Sequence, residues 1–410
     1  MKLSLNTQIF IGALFGIVVG TLLNTGIITG DTASNILYGM DILGVIFVGL
    51  LKMVLIPLVF TSVAAGIANL KAHVQMDKVW KYTLIYFLLS PIAAASLGLL
   101  LVNIVQPGKG LDIALFKESV STISAQSMGL GEFFKTFIKE LLMNPVAAMA
   151  NTEVLATLFF AILLGISIVC LKDKANTVHK FLNEFFDVIM LIVQWIMKFA
   201  PLGVMGLLTK LIATQNISLL SALGKFVGVV VFGTLFHGIV VLPLALFALT
   251  GVGPFKLFTG IREALITAFS TSSSSATLPV TIRCTTENLK VDKNIVGFVA
   301  PLGATLNMDG TALYEAMAAI FIANLVGIDL NLIQQIIVLL TAVLASIGAP
   351  GIPSAGLVTM IMVLQSVGLP VEAIAILLPI DRPLDAIRTA VNVEGDSVCS
   401  LIVQRFSSKK

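Results

Sequence analysis

The chain has 410 residues, 57% of them hydrophobic and only 11% charged, with a mean hydropathy of +1.03. A soluble domain carries roughly 25% charged residues, so this composition excludes an ordinary soluble globule and reads as a polytopic membrane protein. The net charge of +3 is accounted for by basic loops and calls for no nucleic-acid partner.

The first apolar stretch, Ile9–Leu23, begins close behind Lys2, a minimal basic region. No small-residue cleavage site closes it and further spans follow, so a retained first helix is expected. Stretches long enough to cross a bilayer recur at Ile42–Leu70, Leu84–Val105, Val154–Leu171, Phe185–Leu208 and Phe226–Leu249. Basic residues gather in alternate loops: Lys71, Lys78 and Lys81; Lys172, Lys174 and Lys180; Arg283, Lys290 and Lys293; and Arg405, Lys409 and Lys410 at the end. The intervening loops carry Asp31, Asp329 and Glu372 and almost no base. The positive-inside rule therefore puts both termini in the cytoplasm and makes the number of full spans even, about eight. The mixed-charge segment 107–140 is read as an extracellular loop with some helix. Cys170, Cys284 and Cys399 are scattered and read as small buried residues, while the spacing of His73, His179 and His237 defines no metal or catalytic site.

The C-terminal part differs. From Pro254 to about Lys290, two short apolar flanks surround the hydroxyl run Ser270–Pro279, which predicts a re-entrant helical hairpin with that run at its tip. Leu330 to Val371 carries no charge, and its centre, Ser346–Gly356, holds three glycines and two prolines; it predicts a second hairpin, with a kinked pair of full spans as the alternative. Each hairpin is followed by a helix with a related polar element, "NMDGT" at Asn307 and "NVEGD" at Asn392, expected to interrupt both. Hairpin plus interrupted helix, twice, is the pattern of an inverted repeat with a binding site at the midplane.

In the last helix Asp381, Asp385, Arg388, Asn392 and Asp396 are spaced 4, 3, 4 and 4 apart and share a stripe roughly 80° wide, bordered by Thr389. Arg382 and Glu394 fall away from it. Flanking apolar sequence makes the stripe a buried face. A carboxylate beside asparagines and unwound carbonyls suits a hard cation, the role that Asp309 and Asp396 fit. Arg388 offers a planar fork to a substrate carboxylate, and Asp385 a partner for an ammonium; a purely structural pair is the other reading. Glu315, about 120° round the helix from Asp309, has no base in its own segment and is a candidate proton carrier or a protonated packing residue.

The stretches "STSSSSATLPVT", "PLGATLNMDGTALYEAMAAIFIA", "TAVLASIGAPGIPSAGLVTM" and "IRTAVNVEGD" closely resemble the glutamate transporter family, as do "LLKMVLIPLVF" and "NPVAAMANTEVLATLFFAILLGIS" earlier on. The resemblance implies an all-α fold of about eight transmembrane helices and two re-entrant hairpins in inverted repeats, working as an elevator in a homotrimer. Residues 1–75 and 108–215 would form the scaffold, and 76–107 and 216–410 the transport domain. Arg388, Asp385, Thr389, Asn392, Thr311, Ser273, Ser274 and Ser275 would line the substrate site with Ala349, Pro350 and Gly351 of the second tip, the extracellular gate. Three sodium sites are implied. One takes Asp396 with Gly303, Asn307 and Asn392; another takes Thr305, Ser346, Ile347 and Ala349; the third takes Asp309, Asn307 and Ser90. Met308 and Phe87 join these metal-site residues, and Glu315 matches a glutamate linked to proton and potassium coupling. The chain departs from the family at Ser272 and Ala386, where relatives carry an arginine, and at Pro91, where the archaeal members carry a serine. The compact loop after the third span points to a prokaryotic origin and hence an inner membrane.

The expected function is Na⁺-coupled symport of aspartate or glutamate with proton coupling and an accompanying anion leak; K⁺ counter-transport is left open. A C4-dicarboxylate carrier would leave Asp385 without an ammonium, and a neutral amino-acid carrier would leave Arg388 without a carboxylate. An intramembrane aspartyl protease using Asp309 and Asp385 lacks the Gly-x-Gly-Asp signature, so no enzyme is expected, and concentrative uptake separates a carrier from a channel.

Overall fold

Long apolar runs without turn residues leave backbone amides only one another to bond at membrane depth, and a helix meets that demand within one segment. The structure is a computed structural model that describes residues 5–69, 77–110, 138–139, 141–151, 153–214, 217–349, 351 and 354–407, and among these no strand occurs. Lys2, Lys71, His73, Pro350, Lys409, Lys410 and residues 111–137 of the expected extracellular loop lie outside the described residues. In chain order the helices are α1 (Leu5–Asn24), α2 (Gly30–Ala68), α3 (Asp77–Val105), α4 (Pro145–Ala150), α5 (Val154–Leu171) and α6 (Asn176–Thr214). There follow α7 (Ile217–Phe236), α8 (Leu242–Thr250), α9 (Pro254–Thr271), α10 (Ser274–Arg283), α11 (Lys293–Leu306), α12 (Asp309–Leu325), α13 (Leu332–Gly348), α14 (Ala355–Ser366) and α15 (Leu378–Ser407). Five described stretches are helical, long and apolar enough to cross a bilayer: Thr7–Asn24, Gly30–Ala68, Lys78–Val105, Ala156–Thr214 and Ser221–Thr250.

Two groups of helices emerge from the packing. α1, α2, α5 and α6 pack chiefly on one another, and α3 with α7–α15 chiefly on one another. In the first group α1 approaches α6 along Gly12, Gly16 and Gly20; an added Cβ there would stand 2.3 Å from the Pro201 carbonyl oxygen, 2.7 Å from that of Met205 and 2.8 Å from Ile212 Cβ. Small residues four apart let backbones meet where lipid supplies no hydrophobic drive. At the centre of the second group, every residue of α12 except Asn324 is buried. The outer surface carries large apolar side chains such as Phe10, Tyr38, Trp195 and Phe255, the face a bilayer would cover.

Both hairpins form. α9 and α10 pack together, as do α13 and α14. The serine run is tighter than its composition implies: α9 continues to Thr271 and α10 starts at Ser274, leaving Ser272 in the left-handed region (φ 49°) and Ser273 as N-cap, its Oγ accepting from Ala276 N at 3.1 Å. Most of the hydroxyls thus sit on helix rather than open loop, because an N-cap serine satisfies the start of α10 at once. α13 starts with a capping box, Asn331 with Gln334, and α14 ends at Ser366.

Two expectations need correction. The chain breaks at Asn307–Met308 between α11 and α12, but α15 runs unbroken through Asn392 and Asp396. One break suffices physically: Asn392 Oδ1 accepts the Gly310 N–H (2.8 Å), an orphan donor of the first turn of α12, so the second polar element acts through side chains on an intact helix. Cys284 and Cys399 are buried, whereas Cys170 is exposed on α5, whose outer face is mostly apolar and accepts small groups such as the Ser167 hydroxyl, bonded back to Leu163, and this thiol. A π-helical turn at His237–Val241, not foreseen, separates α7 from α8.

Candidate substrate and cation site

The tips of the two hairpins meet. Ser273 Oγ (2.6 Å) and Ser275 N (3.1 Å) both donate to the Gly351 carbonyl. A Cβ on Gly351 would lie 2.4 Å from the Ala304 carbonyl oxygen and 2.6 Å from Ser275 Oγ, so glycine alone allows both tips to reach the end of α11. The junction lies against the break at Asn307 and the polar face of α15.

On that face Arg388 is 1% exposed, the largest of the fully buried side chains. Its Nη2 donates to Asp381 Oδ1 (2.6 Å) and Asp385 Oδ1 (3.0 Å), and its guanidinium lies 3.9 Å from the centre of the Tyr314 ring. Arg388 Nε and Nη1 have no hydrogen-bond partner among the described residues. The other Asp385 oxygen accepts the Ser354 N–H (2.8 Å) at the second hairpin tip, with Arg382 Nη1 3.9 Å away. Thr389 borders this cluster, buried. Ser274 is buried in the first turn of α10, and Ala349 N donates to the Ser346 carbonyl (3.3 Å) at the close of α13.

A second cluster surrounds the break. Asn307 Nδ2 donates to Asp396 Oδ1 (3.0 Å), while Gly303 lies so near Asp396 that a Cβ would fall 2.1 Å from Oδ1 and 3.2 Å from Phe87 Cζ. Pro91, four residues after Phe87 within α3, has no N–H for the Phe87 carbonyl. Ser90 donates a short hydrogen bond to Asp309 Oδ2, which also meets His237 Nε2 at 3.1 Å. Asn392 Nδ2 reaches Met308 Sδ and Thr311 Oγ1, each at 3.4 Å. Asp309 Oδ1 and Asn307 Oδ1 are buried acceptors without a donor among the described residues. The Thr305 and Ser346 hydroxyls bond back to Leu302 (3.0 Å) and Val343 (2.8 Å) in their own helices, and Ile347 is half-buried beside them.

Glu315 stands apart from Asp309, as their angular separation implied. Thr359 of α14 donates a short hydrogen bond to its Oε1, and Oε2 has no partner among the described residues. Gly356 lies between Glu315 and Arg388: a Cβ there would be 3.5 Å from Arg388 Nη1 and 3.9 Å from Glu315 Oε1.

The structure thus gathers Arg388, Asp385, Thr311, Asn392 and the hairpin tips on one side of the break, and Asp309, Asn307, Asp396, Ser90, Phe87 and Gly303 on the other. Sequence reasoning missed three partners: Asp381 on Arg388, Tyr314 under it, and His237 on Asp309. The signal for His237 was available, since an ionisable residue inside the apolar run "TLFHGIVVL" is costly without a partner.

Among the described residues six carboxyls are buried (Asp309, Glu315, Asp381, Asp385, Glu394 and Asp396) against one fully buried guanidinium, Arg388. Buried carboxyls need cations or protons to neutralise them, and the unpartnered donors of Arg388 suit an anionic group, so the arrangement is that of a helical membrane protein with places for both. Comparison with known proteins agrees. The sequence model of the sodium:dicarboxylate symporter family matches residues 5–406. Excitatory amino acid transporter 2 of Rattus norvegicus is 36% identical over 462 residues, covering 100% of this chain and 80% of the relative. Excitatory amino acid transporter 3 of Homo sapiens is 36% identical over 415 residues, covering 90% and 79%. Excitatory amino acid transporter 1 of Ambystoma tigrinum is 34% identical over 443 residues, covering 95% and 81%. The chain belongs to the sodium:dicarboxylate symporter family; it is a transporter, not an enzyme.

Proposed function

We propose that the chain is a secondary-active, Na⁺-coupled symporter of L-aspartate or L-glutamate that also couples to protons. The observation that carries the reading is the imbalance, among the described residues, of four buried aspartates (Asp309, Asp381, Asp385 and Asp396) against Arg388. Sodium ions supply the missing positive charge, and the substrate's side-chain carboxylate takes up the free donors of Arg388, Nε and Nη1. Asp385 meets the substrate ammonium; Thr311, Thr389, Asn392 and Ser273–Ser275 complete the pocket with Ala349, Pro350 and Gly351. The orphan acceptors Asp309 Oδ1 and Asn307 Oδ1 fit a hard cation held with Ser90, and Asp396 with Gly303, Asn307 and Asn392 fits another. Thr305, Ser346, Ile347 and Ala349 provide a third set of carbonyls, with Met308 and Phe87 beside the cation sites. Glu315, paired only with Thr359 among the described residues, carries the proton. K⁺ counter-transport is not part of the proposal.

The two packing groups support an elevator in which 1–75 and 108–215 form a scaffold and 76–107 with 216–410 moves, in a homotrimer. Both termini are cytoplasmic in an inner-membrane protein. Glu372, on a loop read as extracellular, bonds Lys52 at 2.9 Å. Lys52 lies 22 residues beyond the start of α2 at Gly30, about 33 Å along it at 1.5 Å per residue. An outer loop so far inward supports an inward-facing arrangement.

The test is uptake of radiolabelled L-aspartate into proteoliposomes with Na⁺ and pH gradients imposed separately, for the wild type and Glu315→Gln. Accumulation that needs Na⁺, and loses its pH dependence in the variant, supports the reading. Proton-driven uptake without Na⁺ overturns the sodium assignments, and uptake of succinate in place of either amino acid overturns that of Asp385.

A further inference from the structure

Glu394 is the sixth buried carboxyl and takes no part in the site above. It is 3% exposed, and its Oε1 has no partner among the described residues. Two positions from Asn392, it lines a cavity of about 320 Å³ between α7, α9 and α15. Leu235, Ile239, Phe258, Leu265 and Phe269 line that cavity, so its surface is apolar apart from the carboxyl. The π-helical turn makes room for it: Gly238 faces Glu394, where a Cβ would stand 3.1 Å from Oε2. The cavity is open on the outer side, where Phe269 (55%), Ile239 (58%) and Leu235 (42%) are exposed on a surface that faces lipid.

A buried carboxyl left without a hydrogen-bond partner in an apolar chamber is unfavourable, more so when ionised, and the ligand that relieves it carries a hydrogen-bond donor and positive charge on an apolar body. We infer that this chamber is a binding site for a hydrophobic amine that enters from the membrane, its ammonium bonded to Glu394 and its hydrocarbon body against Phe258, Leu265 and Phe269. The volume holds a compact body, about ten waters' worth at ~30 Å³ each. Glu394 lies 16 residues into α15, about 24 Å from its start. A phospholipid head group is excluded at that depth because its phosphate would find only apolar walls. The occupant is therefore a small amine with no phosphate.

The test is calorimetric titration of the full chain in lipid nanodiscs with 1-aminoadamantane and its uncharged isostere 1-adamantanol, after subtracting empty nanodiscs. The amine should bind roughly tenfold or more tightly than the alcohol, the difference made by a charged hydrogen bond away from water. Glu394→Gln should remove that difference. Ala390→Phe, which fills the chamber and leaves Glu394 in place, should remove binding of both. Equal affinities for amine and alcohol in the wild type, or an amine preference that survives Glu394→Gln, would overturn the inference. If Glu394→Gln does not fold, the wild-type comparison and Ala390→Phe still decide. The readout is binding rather than transport, so it stands or falls independently of the substrate proposed above.

Discussion

Replacing Gly351 with alanine should loosen the junction of the two hairpin tips. The added methyl would stand 2.4 Å from the Ala304 carbonyl oxygen, 2.6 Å from Ser275 Oγ and 3.1 Å from Ser275 N, all closer than van der Waals contact. Two of these neighbours belong to the opposite tip and one to the backbone of α11, so the second tip has to withdraw. Withdrawal breaks the hydrogen bonds of Ser273 Oγ and Ser275 N to the Gly351 carbonyl. At about 1 kcal/mol each the loss is about 2 kcal/mol, or roughly thirtyfold in the equilibrium between closed and parted tips. Hydrogen exchange of the Ser275 amide in nanodiscs reports that equilibrium directly and should quicken by the same factor. Gly297→Ala is the matched control: nothing lies within 4 Å of a Cβ there, and exchange at Ser275 should not change. Unchanged exchange in Gly351→Ala, or equal acceleration in both variants, would refute the reasoning.

Arg388→Ala should abolish uptake of acidic amino acids and lower thermal stability by about 3–5 kcal/mol, since Asp381 and Asp385 lose their buried partner; uptake and a melting curve check it together. Ser90→Ala removes the hydroxyl donor to Asp309 and should weaken Na⁺ activation of aspartate binding by roughly tenfold, read from a Na⁺ titration. Lys52→Met breaks a pair that is 40% and 54% exposed, worth at most about 1 kcal/mol. It should shift the balance of inward- and outward-facing forms by no more than about fivefold, measured by cross-linking engineered cysteine pairs across α2 and α14.

The helices and hairpins were legible because membrane depth leaves a short menu. An apolar run of about 20 residues has to be a helix, and a charge-free run broken by "SIGAPGIPSAG" has to fold back. The stripe of α15 was legible from spacing alone, since a helix fixes which residues share a face. Partners across helices were not. Nothing in spacing tells that Asp381 lies nearer Arg388 Nη2 than Asp385 does, or that His237 reaches Asp309. Asn392 shows the limit most clearly: its polar surroundings read as a break, yet the helix is intact because its side chain satisfies the break in α12. The same arithmetic that put Glu394 off the stripe could not reveal a second chamber, which depends on how α7 and α9 lean on α15.

In the proposed transport cycle, buried carboxyls make cation and substrate binding one event. The most direct test is the dissociation constant of L-aspartate for the purified protein measured across a range of Na⁺ at constant ionic strength. Affinity should rise steeply with Na⁺, with a logarithmic slope above one, and Asp396→Asn should flatten it. Aspartate affinity independent of Na⁺ would contradict the account.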